Sequence, residues 1–193
     1  MALPNAAAQP APTSSSGPFL TDVETLRRRA RSHMEEGAVT PSYGADRDAV
    51  VKVLNDALAT EIVCVLRYKR HYFMAQGIAS DSVKQEFLEH AGEEQEHADC
   101  IAERIVQLGG EPDLNPATLT SRSHSEYVPG KTLVDMIRED LVAERVAIES
   151  YREIVEWLHG KDPTTHRMLR EILAVEEEHA EDMASLLAGM REG

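Results

Sequence analysis

The sequence predicts an all-α, antiparallel four-helix bundle with a long crossover between its second and third helices and a short additional helix before the first. Three observations lead there. Four long segments carry apolar residues at helical spacing, each opened by a capping residue. Aromatic residues are only 5% of the chain, while Ala, Leu, Glu and Arg abound. The connections alternate short, long, short, which is the signature of two antiparallel hairpins joined by a crossover.

The elements follow in chain order. Residues 1–18, rich in Ala, Pro and Ser and without a charged side chain, predict a disordered tail. Residues 19–45 hold a short helix and a linker; Thr21 or Asp22 caps that helix, which is expected to run to about Glu36 and stop at Gly37. The bundle occupies 46–193. Asp46 caps its first helix, roughly 29 residues ending before Gly77 and about 44 Å long. Ser80 or Asp81 caps the second, which ends at Gly109 and Gly110, where left-handed backbone is easy. The segment EPDLNPATLTSRSHSEYVPG, with its three prolines and no helical period, is the crossover. Thr132 with Asp135 resembles a capping box and opens the third helix, expected to reach about His159. Asp162 followed by Pro163 caps and starts the fourth.

At 193 residues the chain suits one domain with a full core. A formal net charge of -14 repels phosphate backbones and attracts cations, so DNA is not expected as a partner. No apolar run approaches the roughly 18–20 residues a spanning helix needs, and the N-terminus lacks the pattern of a signal peptide. A soluble, cytoplasmic protein is expected, with no membrane partner. Cys64 and Cys100, each one turn from a candidate ligand, fall roughly 10 Å apart along the bundle axis, beyond disulfide reach. Both are expected to be small buried core residues, as befits a reducing compartment.

The functional signal is an internal duplication. The first helix carries Glu61 and, seven residues on, Tyr68; the third carries Glu144 and Tyr151 at the same spacing. The second helix contains EEQEHAD, with Glu94 and His97, and the fourth EEEHAED, with Glu176 and His179. The halves superpose at an offset of roughly 82 or 83 residues, as a gene-level repeat would. Two similar hairpins packed about a pseudo-twofold axis bring six such side chains to one level.

Four carboxylates in a helical core carry about -4, and each unpaired charge costs several kcal/mol to desolvate. Two divalent cations cancel that charge. Carboxylate with imidazole suits iron, manganese or zinc, whereas calcium and magnesium rarely use histidine. Glu-x-x-His spacing lets both side chains of a helix reach one ion, so Glu94 and Glu176 are assigned as bridges and Glu61 and Glu144 as terminal ligands. Tyr68 and Tyr151 are candidates to hydrogen-bond the terminal carboxylates. The neighbouring acids Glu93, Glu96, Glu177 and Glu178 are expected to be exposed or to face a cavity.

The stretch from Glu61 to Tyr68, EHADCIAERIVQLGGEPDL, Glu144 and ILAVEEEHAED is similar to bacterioferritins and to the related Dps-like miniferritins, over roughly residues 46–190. The resemblance implies a ferritin-like bundle whose six ligands form a di-iron centre that oxidises Fe(II) with oxygen or hydrogen peroxide. It also implies a hollow homo-oligomeric shell that stores iron for homeostasis and protection from oxidative stress. Two departures refine this. Gln95 stands where bacterioferritins place a haem-ligating methionine, so no haem is expected. Only about 14 residues follow His179, too few for the further helix of 24-subunit shells, and with the added N-terminal helix this favours a dodecamer.

Arg27, Arg28, Arg29 and Arg31 form a basic cluster, but Asp22, Glu24, Glu35 and Glu36 share its segment; intersubunit contacts or a solvated face are expected there rather than DNA. His71, His90, His124, His159 and His166 have no repeat counterpart and are expected at the surface or in local hydrogen bonds. Met74 and Met183 are expected to pack in the core or an interface. Two rival functions remain. One is peroxide removal at a di-iron or di-manganese centre, as in rubrerythrins and manganese catalases, although the chain lacks the CxxC pairs of a rubredoxin module. The other is a Dps-like DNA-protecting protein.

Overall fold

A computed structural model describes residues 21–77 and 80–190. The expected disordered tail therefore lies outside the described residues. The helices are α1 (Val23–Ala30), α2 (Arg47–Met74), α3 (Ser80–Gln107), α4 (Leu119–Arg122), α5 (Leu133–Leu158) and α6 (Pro163–Gly189). Helices α2 with α3 and α5 with α6 form two hairpins, joined by the long crossover that contains α4.

The helix ends are set by local chemistry. Asp46 accepts from the Ala49 amide, Thr132 and Asp135 exchange both bonds of a capping box, and Asp162 accepts from the Thr165 amide ahead of Pro163. At the end of α3, the Gly110 amide bonds the Ile105 carbonyl and the Gly109 amide bonds that of Val106. This pairing requires the left-handed φ of 76° that Gly109 adopts.

Two large apolar clusters fill the bundle, and a small third one, Ala59, Val63 and Leu119, joins α2 to α4. One of the large pair holds Leu54, Leu58, Ile101, Ile105, Leu158 and Leu169; the other holds Tyr68, Phe87, Ile137 and Met183. Full burial of each large side chain stabilises the fold by about 1.5–3 kcal/mol. On every long helix the candidate ligands fall between these two clusters, so the polar layer is sandwiched by apolar packing and shielded from water.

Several expectations are corrected. The first short helix ends at Ala30 rather than Glu36, because His33 adopts a left-handed φ of 52° and only a 3-10 turn, Met34–Glu36, follows. Helix α3 begins at Ser80 itself, so neither Ser80 nor Asp81 is its cap; the preceding position lies outside the described residues. The crossover is not wholly irregular. Helix α4 is held in place where Arg122 donates to the Asn55 and Asp113 carbonyls and the His124 amide donates to Thr60. Cys64 is buried but Cys100 is exposed, since it lies on the outer face of α3. Met183 is in the core, while Met74 is exposed.

Of the two settings expected for them, surface or hydrogen bonding, His71 and His90 take the second: both are buried and hydrogen-bonded, to partners on other helices. Arg67, His71 and Asp140, all at 0% exposure, form a polar cluster between α2 and α5. Asp140 accepts from Arg67 Nε at 2.8 Å on one oxygen and faces His71 Nδ1 at 2.8 Å on the other. Burial raises the Asp140 carboxyl above its ordinary range, while His71 and Arg67 oppose the rise. Among the described residues, no helix is long and apolar enough to cross a membrane.

Candidate metal centre

Helices α2 and α5 run in opposite directions, so Glu61 on α2 lies level with Tyr151 on α5, and Tyr68 lies level with Glu144. The Tyr68 hydroxyl donates to Glu144 Oε1 at 2.5 Å, and Tyr151 donates to Glu61 Oε1. Each half's tyrosine thus holds the other half's carboxylate, as a pseudo-twofold demands. Since Oε1 of each terminal carboxylate is occupied by a tyrosine, Oε2 is left directed at the interior.

The six side chains Glu61, Glu94, His97, Glu144, Glu176 and His179 converge in the buried layer, none more than 8% exposed. Their donor atoms form two sets, Glu61, Glu94, His97 and Glu176 on one side and Glu94, Glu144, Glu176 and His179 on the other, with the atoms of each set within 4.8 Å of one another. Glu94 and Glu176 belong to both. Such sharing is what bridging carboxylates between two ions require.

The hydrogen-bond inventory identifies what the layer lacks. Among the described residues, eight buried side-chain nitrogen and oxygen atoms have no hydrogen-bond partner, and seven belong to these six residues: Glu61 Oε2, Glu94 Oε1, His97 Nδ1, Glu144 Oε2, both oxygens of Glu176 and His179 Nδ1. Buried polar atoms are ordinarily paired. A concentration of orphaned acceptors at one point is therefore a cation site by its own chemistry, and oxygen with imidazole nitrogen fits iron.

Imidazole orientation supports the same conclusion. His179 Nε2 lies 2.8 Å from Glu93 Oε2, which fixes its proton there and leaves Nδ1 bare toward Glu94 and Glu144 at 3.6 and 3.8 Å. His97 Nδ1 faces Glu176, Glu61 and Glu94 at 3.0, 3.4 and 3.7 Å without forming a hydrogen bond. Glu93 is thus half-buried and bonded to a candidate ligand histidine, a role the duplication did not reveal.

Without cations the layer takes up protons. Burial, then the neighbouring Glu94 charge, push Glu61 well above the ordinary carboxylate range, and burial followed by Glu94, Glu61 and Glu144 does the same to Glu176. Burial disfavours charge on His97 and His179, but the close carboxylates, Glu61 and Glu94 around His97 and Glu144 and Glu94 around His179, push each up to about 10. Burial also acts against Glu94, yet its close approach to Glu61, His179 and His97 holds it below the usual carboxylate range. Cations would take the place of these protons.

His90, expected at the surface or in local hydrogen bonds, instead borders the layer. Its ring stacks on His179 with centroids 3.9 Å apart, and its Nδ1 lies 3.2 Å from the Tyr68 hydroxyl. The signal was available in its position, one helical turn before Glu94 on the same face of α3.

A family model described as "Ferritin-like domain" matches residues 51–192. The chain is 29% identical over 153 residues to the "DNA protection during starvation protein" of Pyrococcus furiosus, covering 78% of this chain and 83% of that one. It is 28% identical over 136 residues to a bacterioferritin of Desulfovibrio desulfuricans, 69% and 72% of the two chains. Among solved structures, a dodecameric thioferritin, the bacterioferritin-related protein of Bacteroides fragilis, superposes with a TM-score of 0.75 and 33% identity, covering 77% of this chain and 90% of that one.

Proposed function

The chain belongs to the ferritin-like family, and on that footing we propose that it is an iron-storing ferroxidase in which Glu61, Glu94, His97, Glu144, Glu176 and His179 bind two Fe(II) per subunit. The observation that carries this reading is the convergence of seven orphaned buried acceptors on two overlapping ligand sets. Glu94 and Glu176 lie between the ions; Glu61 and His97 complete one position, Glu144 and His179 the other. Four carboxylates balance two divalent cations, which removes the desolvation penalty the ion-free layer carries.

Fe(II) is the substrate. Two Fe(II) give up one electron each, and dioxygen accepts the pair with two protons to leave as hydrogen peroxide. With hydrogen peroxide as oxidant, the same two electrons and two protons yield two waters. Pairing the irons matches a two-electron acceptor and avoids release of a one-electron oxygen radical. The chain's residues set geometry and charge: Tyr68 and Tyr151 fix the terminal carboxylates, Glu93 fixes the tautomer of His179, and the apolar clusters exclude bulk water.

The dodecameric state named for the Bacteroides relative is extended to this chain, as a closed homo-oligomeric shell that receives the oxidised iron. Within this reading the protein works in the cytoplasm without haem, and manganese is the alternative metal. DNA is not expected as a partner on this reading: the net charge is -14, and the exposed arginines of α1 share that helix with Glu24 and its cap Asp22.

Stopped-flow absorbance of Fe(II) oxidation tests the proposal. Glu94→Ala and His97→Ala are expected to abolish the rapid phase with oxygen and with peroxide while leaving the helices intact. Wild-type initial rates in both variants would defeat it. Oxygen evolution from peroxide by protein loaded with manganese would favour the peroxide-removing alternative instead.

A further inference from the structure

Beyond the dinuclear layer, one more constellation lacks an explanation. His90 on α3 is buried, with its side chain 3% exposed, yet its ring nitrogens point two ways. Nδ1 lies 3.2 Å from the Tyr68 hydroxyl. Tyr68 has a single proton and gives it to Glu144 at 2.5 Å, so its oxygen can only accept, and the proton between Tyr68 and His90 must come from His90 Nδ1. That fixes the neutral ring with a bare lone pair on Nε2.

Nε2 faces Asp182 Oδ2 at 3.6 Å and Glu86 Oε2 at 4.0 Å. A hydrogen bond to either would close to about 2.8–3.0 Å; neither forms. Three acceptor atoms therefore surround one point with no donor among them, all within 4.8 Å of one another. Two ligand atoms about 2.0–2.2 Å from a shared ion lie at most about 4.4 Å apart, and the 3.6 and 4.0 Å separations from Nε2 fall within that reach. The buried imidazole comes from α3, one carboxylate from α3 a turn earlier, and the other from α6, so two helices of different hairpins fix the set. The two acids are part-exposed, at 41% and 55% of their side chains, and give the point an open side toward water.

We propose that Glu86, His90 and Asp182 form a third, mononuclear site for a divalent cation, adjoining the dinuclear layer and open to solvent. The stacked rings of His90 and His179, with centroids 3.9 Å apart, place the two sites side by side. Between them stands Glu93, which bonds His179 and shares a candidate ligand set with both histidines. The ligand sets therefore overlap in series: Glu86 and Asp182 with His90, His90 with Glu93 and His179, His179 with the buried layer. An ion moving inward along that series displaces the proton that His179 Nε2 gives to Glu93. Resting on the ferroxidase reading, the site's role is to take Fe(II) from solvent and pass it inward.

The probe is Co(II), added anaerobically to the assembled, metal-free protein and measured by equilibrium dialysis, with wild type compared against the Glu86→Gln/Asp182→Asn double variant. Both substituted side chains are part-exposed and lie outside the dinuclear ligand set, so the fold is retained. Wild type is expected to bind three Co(II) per subunit and the variant two, with affinity at the third site lowered at least roughly tenfold. With Fe(II) below saturation, the variant's initial oxidation rate is expected to fall several-fold, and to recover at high Fe(II). Two Co(II) in both proteins, or equal oxidation rates at limiting Fe(II), would overturn the third site and leave the dinuclear reading standing. No Co(II) bound to wild type would overturn both.

Discussion

Glu176→Gln is expected to stabilise the ion-free protein while sharply weakening its response to metal. Glu176 is 0% exposed, and both of its carboxylate oxygens lack a hydrogen-bond partner. An unsatisfied buried polar group costs about 1–3 kcal/mol, and more when charged. The amide keeps the shape, is neutral without the proton that burial forces Glu176 to take up, and adds donors that Glu94 and Glu144 can accept. A gain of about 1–3 kcal/mol therefore follows for the ion-free state, which raises the unfolding midpoint by about 2–4 °C per kcal/mol in a chain of this length. Ions have the opposite effect. At a thousand times its dissociation constant, a ligand stabilises wild type by about 4 kcal/mol. Loss of a shared ligand that weakens binding a hundredfold leaves about 1.4 kcal/mol of that gain, so added Zn(II) cancels or reverses the variant's advantage. Scanning calorimetry of both proteins, with a chelator and with Zn(II), reads all four states. A variant less stable than wild type in chelator, or one that gains as much from Zn(II), would refute the idea that uncompensated carboxylates dominate the ion-free layer.

Protonation gives a second expectation. His97 and His179, raised to about 10, contribute stability that is complete below about 6.5 and is lost as pH rises toward 10; Glu61 and Glu176, also raised, lose theirs as pH rises above 4.5. The midpoint of the ion-free protein should therefore fall from pH 6.5 to 10, and Zn(II) binding at pH 7 should release about two to four protons per subunit, measurable by calorimetry in buffers of different ionisation enthalpy. A flat pH dependence with no proton release would contradict this. Tyr68→Phe and Tyr151→Phe each free one terminal carboxylate, and should weaken Fe(II) binding about 10–100-fold without unfolding the bundle, as read by anaerobic titration and circular dichroism. Asp140→Ala leaves the buried Arg67 guanidinium without its carboxylate and should cost about 3–5 kcal/mol in denaturant titrations; a loss below 1 kcal/mol would show that the Arg67, His71 and Asp140 cluster is dispensable.

Much of this molecule is legible in the chain because its helical signals are local. Asp46, Thr132 with Asp135, and Asp162 with Pro163 are capping chemistry that acts within one turn, and each occupies the position expected of it. The duplicated Glu-x6-Tyr and Glu-x-x-His spacings are also local, since each places its pair on one helix face. The antiparallel packing of α2 against α5 then brings Tyr68 to Glu144 and Tyr151 to Glu61.

What stayed hidden is what the duplication does not contain. His90 and Glu93 superpose on Ile172 and Val175 in the second half, so a search for repeated ligands passes over both. The Arg67, His71 and Asp140 cluster joins residues about 70 positions apart, and no spacing rule along one helix reaches across the bundle. Helix α4 is only 4 residues long, far below the length at which a helix persists alone, and exists because Arg122 and His124 tie it to α2 and the chain before it. The exposure of Cys100 follows from its angle on α3, one turn from His97 yet rotated to the outer face.

The central claim is that buried acids and imidazoles from both hairpins enclose a pair of irons. Anomalous scattering at the iron edge, from crystals soaked anaerobically in Fe(II), examines it directly. Two peaks about 3.5–4 Å apart, flanked by Glu94 and Glu176 and each closed by one histidine and one further glutamate, are expected in every subunit. Iron bound only at surface acids, with these six side chains paired among themselves and no metal between them, would contradict it.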